Sequence, residues 1–255
     1  MASIYDHPLY YDILFGWDRS EEAGFYASAF ARHGLKPNAR ILEVCSGTGQ
    51  VGLRLARKGW QITGLDIRPE MLEFMEAAAK DQDLSIHTLH GDMRNFSSHL
   101  FDGAYCPANS FRLLEHYDEM TAHLQSVSAN LRHDGIYVLD MFFSAPERGG
   151  ADMDTWTMQR DGVEVASMGD RIVVDDTPAK KKLTLDWGGT LRRYSFAEFM
   201  EIIGRSPGFD IASCHPVHRE TRDGISIFHI DDTSEEPDGR TIVILTHSVD
   251  KEPLD

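Results

Sequence analysis

One segment constrains the fold more than any other. In Ile41-Leu42-Glu43-Val44-Cys45-Ser46-Gly47-Thr48-Gly49-Gln50 an apolar run ends in closely spaced glycines, and a helical pattern begins. Glycines there let the backbone pass close to a ligand without a Cβ clash. A helix starting at such a turn offers unpaired N–H groups and positive potential. Strand, glycine turn and helix in this order open a βα unit, so the rest of the chain must supply parallel partner strands.

It does so by alternation. Short apolar runs at 40–44, 61–65, 84–89, 101–106 and 135–141 are separated by helical patterns near 50–58, 69–80 and 118–132. Pro69 suits the first turn of its helix. Before the glycine segment, residues 18–33 predict an amphipathic helix, with Asp18 and Glu21 as a capping box and Gly34 as its stop. Strand–helix alternation of this kind predicts a doubly wound, Rossmann-like, mostly parallel α/β sheet.

After Met141 the period changes. Trp156, Met158, Val163, Val165, Ile172, Val174, Leu183, Leu185 and Trp187 alternate with polar residues, as antiparallel strands do. A helix follows at 195–204, capped by Ser195 and Glu198. Segments 209–217 and 241–249 have strand character, and the acidic stretch 231–239 between them predicts a loop. The expected organisation is one domain over 1–255. It comprises a cofactor-binding core at 1–143, an antiparallel β insertion or lid at 144–194 after the fifth strand, and closing elements at 195–255.

Charge narrows the function. Forty-one acidic side chains against 25 basic ones give a net charge of −16, which repels phosphate backbones and argues against a nucleic-acid partner. Lys180-Lys181-Lys182 and Arg192-Arg193 fit a solvated turn or edge strand. The three cysteines, Cys45, Cys106 and Cys214, lack paired spacing, so neither a disulfide framework nor a zinc site is expected. His87/His90 and His215/His218 are each three apart on strands and face opposite sides, so no metal is expected. Asp6 and Asp12 interrupt the apolar start, no basic segment precedes it and no run is long enough to span a bilayer; the expected setting is cytoplasmic, away from membranes. A homodimer stays open.

At the end of the second strand stands Asp66, whose carboxylate can accept both hydroxyls of an adenosine ribose. Gly47-x-Gly49-x-x-Gly52 followed by Asp66 also matches a dinucleotide fingerprint, which keeps a nicotinamide-dependent oxidoreductase in view. Glu43 turns the reading away from it. A negative charge just before the loop sits badly beside a pyrophosphate and well beside the sulfonium and ammonium of S-adenosylmethionine.

The ordered motifs resemble those of class I S-adenosylmethionine-dependent methyltransferases. Glu43-Val44-Cys45-Ser46-Gly47-Thr48-Gly49 is similar to the family's E/D-x-G-x-G-x-G loop, with Cys45 where glycine or alanine is usual. Gly64-Leu65-Asp66-Ile67-Arg68-Pro69-Glu70-Met71-Leu72, Gly91-Asp92-Met93-Arg94, Phe101 to Phe111, and Asn130 to Ile136 resemble the motifs that follow. The pattern is nearest to glycine N-methyltransferase-like small-molecule enzymes. The resemblance implies a seven-stranded sheet and transfer of a methyl group to nitrogen or oxygen of a small molecule.

It also implies roles. Asp66 would hold the ribose and Ile67 would pack on adenine, while Asp92 and the Met93 N–H would meet the adenine edge. Gly47 and Gly49 would approach the amino-acid part, with Glu43 supporting its ammonium through the loop or water and Tyr11 capping it. Cys45, Met71 and Pro107 complete the expected cofactor contacts. Asn109, Arg112, His116, Phe142 and Trp156 are the expected acceptor contacts. In-line displacement at a sulfonium needs mainly positioning, so no catalytic residue is named. A non-catalytic scaffold that keeps the cofactor fold, or a non-methyl reaction of the same cofactor, remains open, and so does the acceptor's identity.

Overall fold

The computed structural model describes residues 2–144, 155–188, 191–206, 208–222, 225–235 and 237–247. Five strands run parallel: β1 (Arg40–Val44), β2 (Gln61–Asp66), β3 (His87–His90), β4 (Phe101–Cys106) and β5 (Leu131–Phe143). They stand in the order β3-β2-β1-β4-β5. The chain steps outward from β1 in one direction and from β4 in the other. The carboxyl ends of β1 and β4 therefore flank the switch point where open α/β sheets bind ligands.

Three antiparallel strands extend the sheet beyond β5: β10 (Phe209–Arg222), β11 (Ile225–Ile230) and β12 (Gly239–His247). β12 pairs with β5, β10 with β12, and β11 with β10. The sheet thus has eight strands rather than the expected seven. The eighth arises because β10 continues past Val217 and folds back as a hairpin with β11. That stretch is rich in charged and histidine side chains and reads poorly as strand in isolation.

Helices cover both faces. α2 (Ser20–Arg32) and α3 (Gly52–Arg57) pack on one side, where Ala23, Tyr26, Phe30, Val51 and Leu55 meet Ile41, Ile62 and Val138. On the other, α5 (Tyr117–Ala129) and α6 (Phe196–Arg205) bring Met120, Leu124, Phe199 and Ile202 onto Leu42, Val44 and Leu139. α4 (Pro69–Lys80) begins at Pro69 and buries Met71, Leu72, Met75 and Ala79, the helical spacing of its sequence. The Ser195–Glu198 capping box of α6 forms as expected. The one expected at Asp18 and Glu21 does not: Asp18 instead accepts from the Ser20 N–H and hydroxyl at 3.0 and 2.6 Å, and the helix starts one residue later. That offset places Arg19 and Glu22 on one buried face, where they pair at 3.0 Å.

A third apolar cluster lies outside the large sheet. β6 (Thr155–Arg160), β7 (Val163–Met168), β8 (Ile172–Asp176) and β9 (Lys181–Leu185) form an antiparallel meander. Its first hairpin turns on Asp161 and Gly162, at φ 52° and 80°, the doubly left-handed turn that matches strand twist. This sheet does not close on itself. Val163, Val165, Ile172, Val174 and Leu185 pack against Ile4, Tyr10, Ile13 and Leu14 from the N-terminal segment, where α1 spans Pro8–Leu14. The Ile4 N–H donates to the Asp186 carbonyl at 2.9 Å and Tyr10 Oη to Asp176 Oδ2 at 2.9 Å. Among the described residues no helix is long and apolar enough to cross a membrane.

Candidate active site

The crevice lies at the carboxyl edge of the parallel strands. After β1 the backbone turns left-handed at Cys45, Gly47 and Gly49 (φ 55°, 52° and 74°). The Gly47 N–H donates to Asp66 Oδ2 at 2.8 Å, and the Arg68 N–H to Asp66 Oδ1 at 2.9 Å. The carboxylate that the sequence assigns to a ribose is therefore also the clamp between the β1 loop and the start of α4. Burial raises its pKa, and the N–H groups of Arg68 and Gly47 oppose the rise. A carboxylate accepts about four hydrogen bonds, so capacity remains for a ligand. Ile67, next in sequence, is 56% exposed, an apolar surface at the edge where an adenine would stack.

Tyr11 sits on the loop, and a Cβ built on Gly47 would lie 3.3 Å from its ring. Tyr11 is one of a chain of half-buried aromatics: Tyr5 at 5.6 Å and Phe15 at 4.7 Å, then Phe15 to Trp17 at 5.4 Å and to Trp156 at 6.0 Å. Burial pushes the Tyr5 hydroxyl up to about 12, and burial raises Tyr11 well above its ordinary range. Both stay protonated at neutral pH. Trp156 belongs to this chain, with its indole N–H on the Leu14 carbonyl at 2.9 Å. Its polar edge ties lid strand to helix α1, a placement that differs from the acceptor contact expected of it.

Three of the expected cofactor contacts, Glu43, Gly49 and Met71, lie in the packing beneath the loop. Glu43 is 1% exposed and lies beneath the loop. A Cβ on Gly52 would come within 2.2 Å of its Oε2, so Gly52 is small to admit this carboxyl. Burial pushes Glu43 up to about 8. At neutral pH it is mostly an uncharged acid under the loop, not a charge presented to an ammonium. Gly49 faces inward, where a Cβ would meet Met75 Cγ at 2.4 Å. Its role is to let α4 pack under the loop. Met71, 1% exposed, is likewise part of that packing.

On the other wall, Cys45 Sγ approaches Met93 Sδ at 3.4 Å. A hydrogen bond to Cys106, together with burial, keeps the Cys45 thiol well above its usual range and protonated. Beneath Met93 the buried His123 ring lies 3.0 Å from its carbonyl and 2.7 Å from the Tyr137 hydroxyl. Burial lowers that imidazole to about 4, so it is neutral. Asp92 is engaged by Arg94 at 2.6 Å, which lowers its pKa, so an adenine amino group would share this carboxylate with a guanidinium.

Pro107 directly follows β4 and is buried. Ala108 and Asn109 follow, both left-handed at φ 57° and 59°. Asn109 Oδ1 is buried without a partner among the described residues. Of the other expected acceptor contacts, Arg112 is 4% exposed and donates to the Arg192 carbonyl at 2.7 Å, with its guanidinium 5.3 Å from the half-buried Phe142 ring. It fastens the segment before α6. His116 is exposed and caps α5, its N–H donating to Glu119 Oε2 at 3.1 Å. The structure thus gathers Tyr11, Cys45, Gly47, Asp66, Ile67 and Met93 about the crevice, with Pro107 and Asn109 at the end of neighbouring β4. Glu43, Gly49, Met71, Arg112, His116 and Trp156 have supporting positions. Sequence reasoning missed Tyr5, Arg19, Gln50, His123 and Arg240. Only Tyr5, six residues before Tyr11, carried a local signal.

The residues suit an adenosyl sulfonium. The loop offers backbone N–H groups, the carboxylate of Asp66 is fixed for diol hydroxyls, and the buried Ser46 Oγ and Thr48 Oγ1 have no partner among the described residues. Comparison with known proteins agrees. The methyltransferase-domain family matches residues 41–135. The glycine/sarcosine N-methyltransferase of Aphanothece halophytica is 34% identical over 137 residues, 51% of this chain and 50% of that protein; the chain spans about half the length of the curated relatives it matches. An S-adenosylmethionine-dependent methyltransferase from Clostridium acetobutylicum superposes with a TM-score of 0.69 at 16% identity, over 92% of this chain and 95% of that one. S-adenosylmethionine-bound CalS10, an amino pentose methyltransferase from Micromonospora echinaspora, gives 0.64 at 22% identity, over 91% and 93%. Residues 41–135 thus match a methyltransferase domain, and the fold is that of S-adenosylmethionine-dependent methyltransferases rather than one inferred from the glycine loop alone.

Proposed function

We propose that the chain transfers a methyl group from S-adenosylmethionine to the nitrogen of a small-molecule amine in the cytoplasm. The observation that carries the reading is the clamp of Gly47 and Asp66 roofed by Tyr11. It makes a ribose-binding carboxylate, a glycine floor and an aromatic cap out of three separate elements. The amine acceptor is favoured by the glycine/sarcosine and amino pentose enzymes among the similar proteins, and by the acidic surface, which attracts ammonium groups.

The bound cofactor supplies a methyl on a sulfonium, which leaves as a neutral thioether. Asp66 accepts the ribose hydroxyls, Ile67 stacks on the base and Asp92 takes the base's amino group beside Arg94. Tyr11 and the aromatic lid shut out water. Asn109 offers Oδ1 to an N–H of the acceptor. The amine must lose its proton before it attacks. Tyr5 and Tyr11 hold theirs too firmly to assist, so the rate follows the acceptor's own deprotonation and rises with pH up to its pKa.

Radiolabelled S-adenosylmethionine offered with a panel of amino sugars, glycine, sarcosine and phenols tests this. Label entering amines, together with a melting temperature raised by S-adenosylhomocysteine and not by NAD, is expected; saturation at about a hundred times Kd corresponds to ~2.7 kcal/mol. Cofactor binding with no transfer to any acceptor would favour the scaffold reading.

A further inference from the structure

Beneath the crevice runs an unbroken line of polar contacts between elements far apart in sequence. It begins at the strained turn after β4. The Ala108 N–H donates to Asp140 Oδ2 at 2.9 Å. Asp140, on β5 and fully buried, receives Arg240 of β12 through two bonds, Nε at 3.0 Å and a terminal nitrogen at 2.7 Å. Arg240 also lies 3.5 Å from Glu22 of α2. Glu22 takes Arg19 at 3.0 Å, and Arg19 donates Nε–H to Gln50 Oε1 at 3.1 Å, at the end of the glycine loop. Gln50 donates to both the carbonyl and Oδ1 of Asp12 in α1 at 2.9 Å. Arg160 of lid strand β6 closes the line on Asp12 Oδ2 at 2.7 Å.

Balance of charge alone explains why such a row survives burial: Asp140 and Glu22 face Arg240 and Arg19. It does not explain where the row ends. One end anchors, beside the Ser110 hydroxyl on the Pro107 carbonyl at 2.9 Å, a turn that holds two consecutive non-glycine residues left-handed, a conformation that persists only where surrounding contacts over-determine it. That turn carries the unpartnered Asn109 Oδ1. The other end holds the lid. Between them Gln50 touches the cofactor loop.

We propose that Asp140, Arg240 and Glu22 are positioning residues that hold the Pro107–Ala108–Asn109 turn in register with the lid, through Arg19, Gln50 and Asp12 to Arg160. Seating the lid fixes Asp12. Asp12 fixes Gln50 and, through Arg19 and Glu22, sets Arg240 on Asp140. The Ala108 N–H stays on Asp140, and the Asn109 side chain is thereby held for the acceptor. The role assigned to Asn109 rests on the methyl-transfer reading above; the mechanical link does not.

Arg160→Met separates the two. Arg160 lies on the lid with its side chain 41% exposed, so the variant keeps both cores intact. Amide hydrogen exchange of the full chain, without ligand, reads the link. Exchange at residues 108–110 is expected to quicken at least threefold in Arg160→Met, and by a similar factor in Asp140→Asn. The double variant is expected to gain little over either single one, because the two act in series. Calorimetry with S-adenosylhomocysteine on the same set is expected to show the same non-additivity in Kd. Unchanged exchange at the turn in Arg160→Met, or effects that multiply in the double variant, overturns the proposal. Wild-type protein that ignores S-adenosylhomocysteine overturns the methyl-transfer reading instead, and the exchange data still judge the link. Should Asp140→Asn fail to fold, Glu22→Gln replaces it with the same expectation.

Discussion

In the large sheet, β1 sends Leu42 and Val44 into one core and Ile41 into the other, each at most 1% exposed. In the lid, β6 buries neither Trp156 nor Met158 completely, and its sheet has one covered face. The body is a sheet between two helical layers and keeps its own geometry. The lid is a meander that finds its second layer in α1, a helix from the other end of the domain. The Gly47–Asp66 hydrogen bond belongs to the body, while Tyr11 lies on α1, which packs on the meander. On the proposed function, binding and enclosure would rest on differently packed parts, a sheet covered on both faces and a meander covered on one.

The sharpest break in that comparison is to remove the lid. Replacing residues 155–188 by a Gly-Ser linker strips α1 of its partner core. Transfer is expected to fall to background while far-ultraviolet circular dichroism keeps the signal of the large sheet and its helices. S-adenosylhomocysteine affinity should drop at least tenfold, because Tyr11 loses its support. Native affinity in the shortened chain would show that α1 seats itself unaided.

Glu43 tests the body alone. Its ordinary value of 4.5 rises to about 8 on burial. Between those values the unfolded chain binds fewer protons than the folded one, so stability declines as pH rises from about 4.5 through about 8. Glu43→Gln removes that decline. The variant should gain on the wild type across this window by up to about 4 kcal/mol in denaturant unfolding. Parallel stability curves from pH 5 to 8 would mean that the carboxyl is charged in the fold.

Asp66→Ala separates binding from folding. The loss of charge-assisted bonds to a ribose should weaken S-adenosylhomocysteine by about 3 kcal/mol, seen by calorimetry. Folding should suffer less, since what remains unpaired are N–H groups at the edge of a crevice open to water. A smaller loss of affinity than of stability would make Asp66 chiefly a loop clamp.

The smallest effect falls on the lid's inner seam. Tyr10→Phe removes the bond to Asp176 and should cost about 1 kcal/mol, felt as faster amide exchange in β7 and β8 while the parallel strands stay protected. An equal change in both regions would show that body and lid open together.

Much of this division was legible in the chain. The glycine turn after β1, Pro69 at the start of α4, Asp66 at the end of β2 and the capping box of α6 are local signals, set by backbone sterics and hydrogen bonds among near neighbours. The switch from helical to alternating period after Met141 likewise announced the lid meander. The eighth strand was not legible, because β11 gains its place only by pairing with the far half of β10.

The side chains of the crevice divide along the same line. Local pattern placed Gly47 and Asp66, because a turn and a strand end leave a mark within a few residues. It could not tell that Glu43 would turn under the loop against Gly52, that Gly49 would make room for Met75, or that Trp156 would spend its N–H on Leu14. Each of those depends on what a distant element brings to the same few ångströms. Arg240 and Arg160 left no signal at all, since an arginine in a strand is ordinary until a buried carboxylate faces it. The sequence by itself determined the order of the parallel strands and their helices and the left-handed glycine turn at the mouth of the sheet, through contacts close along the chain. Only the tertiary structure decided which polar groups are buried together, because desolvation and pairing act between residues that folding alone makes neighbours.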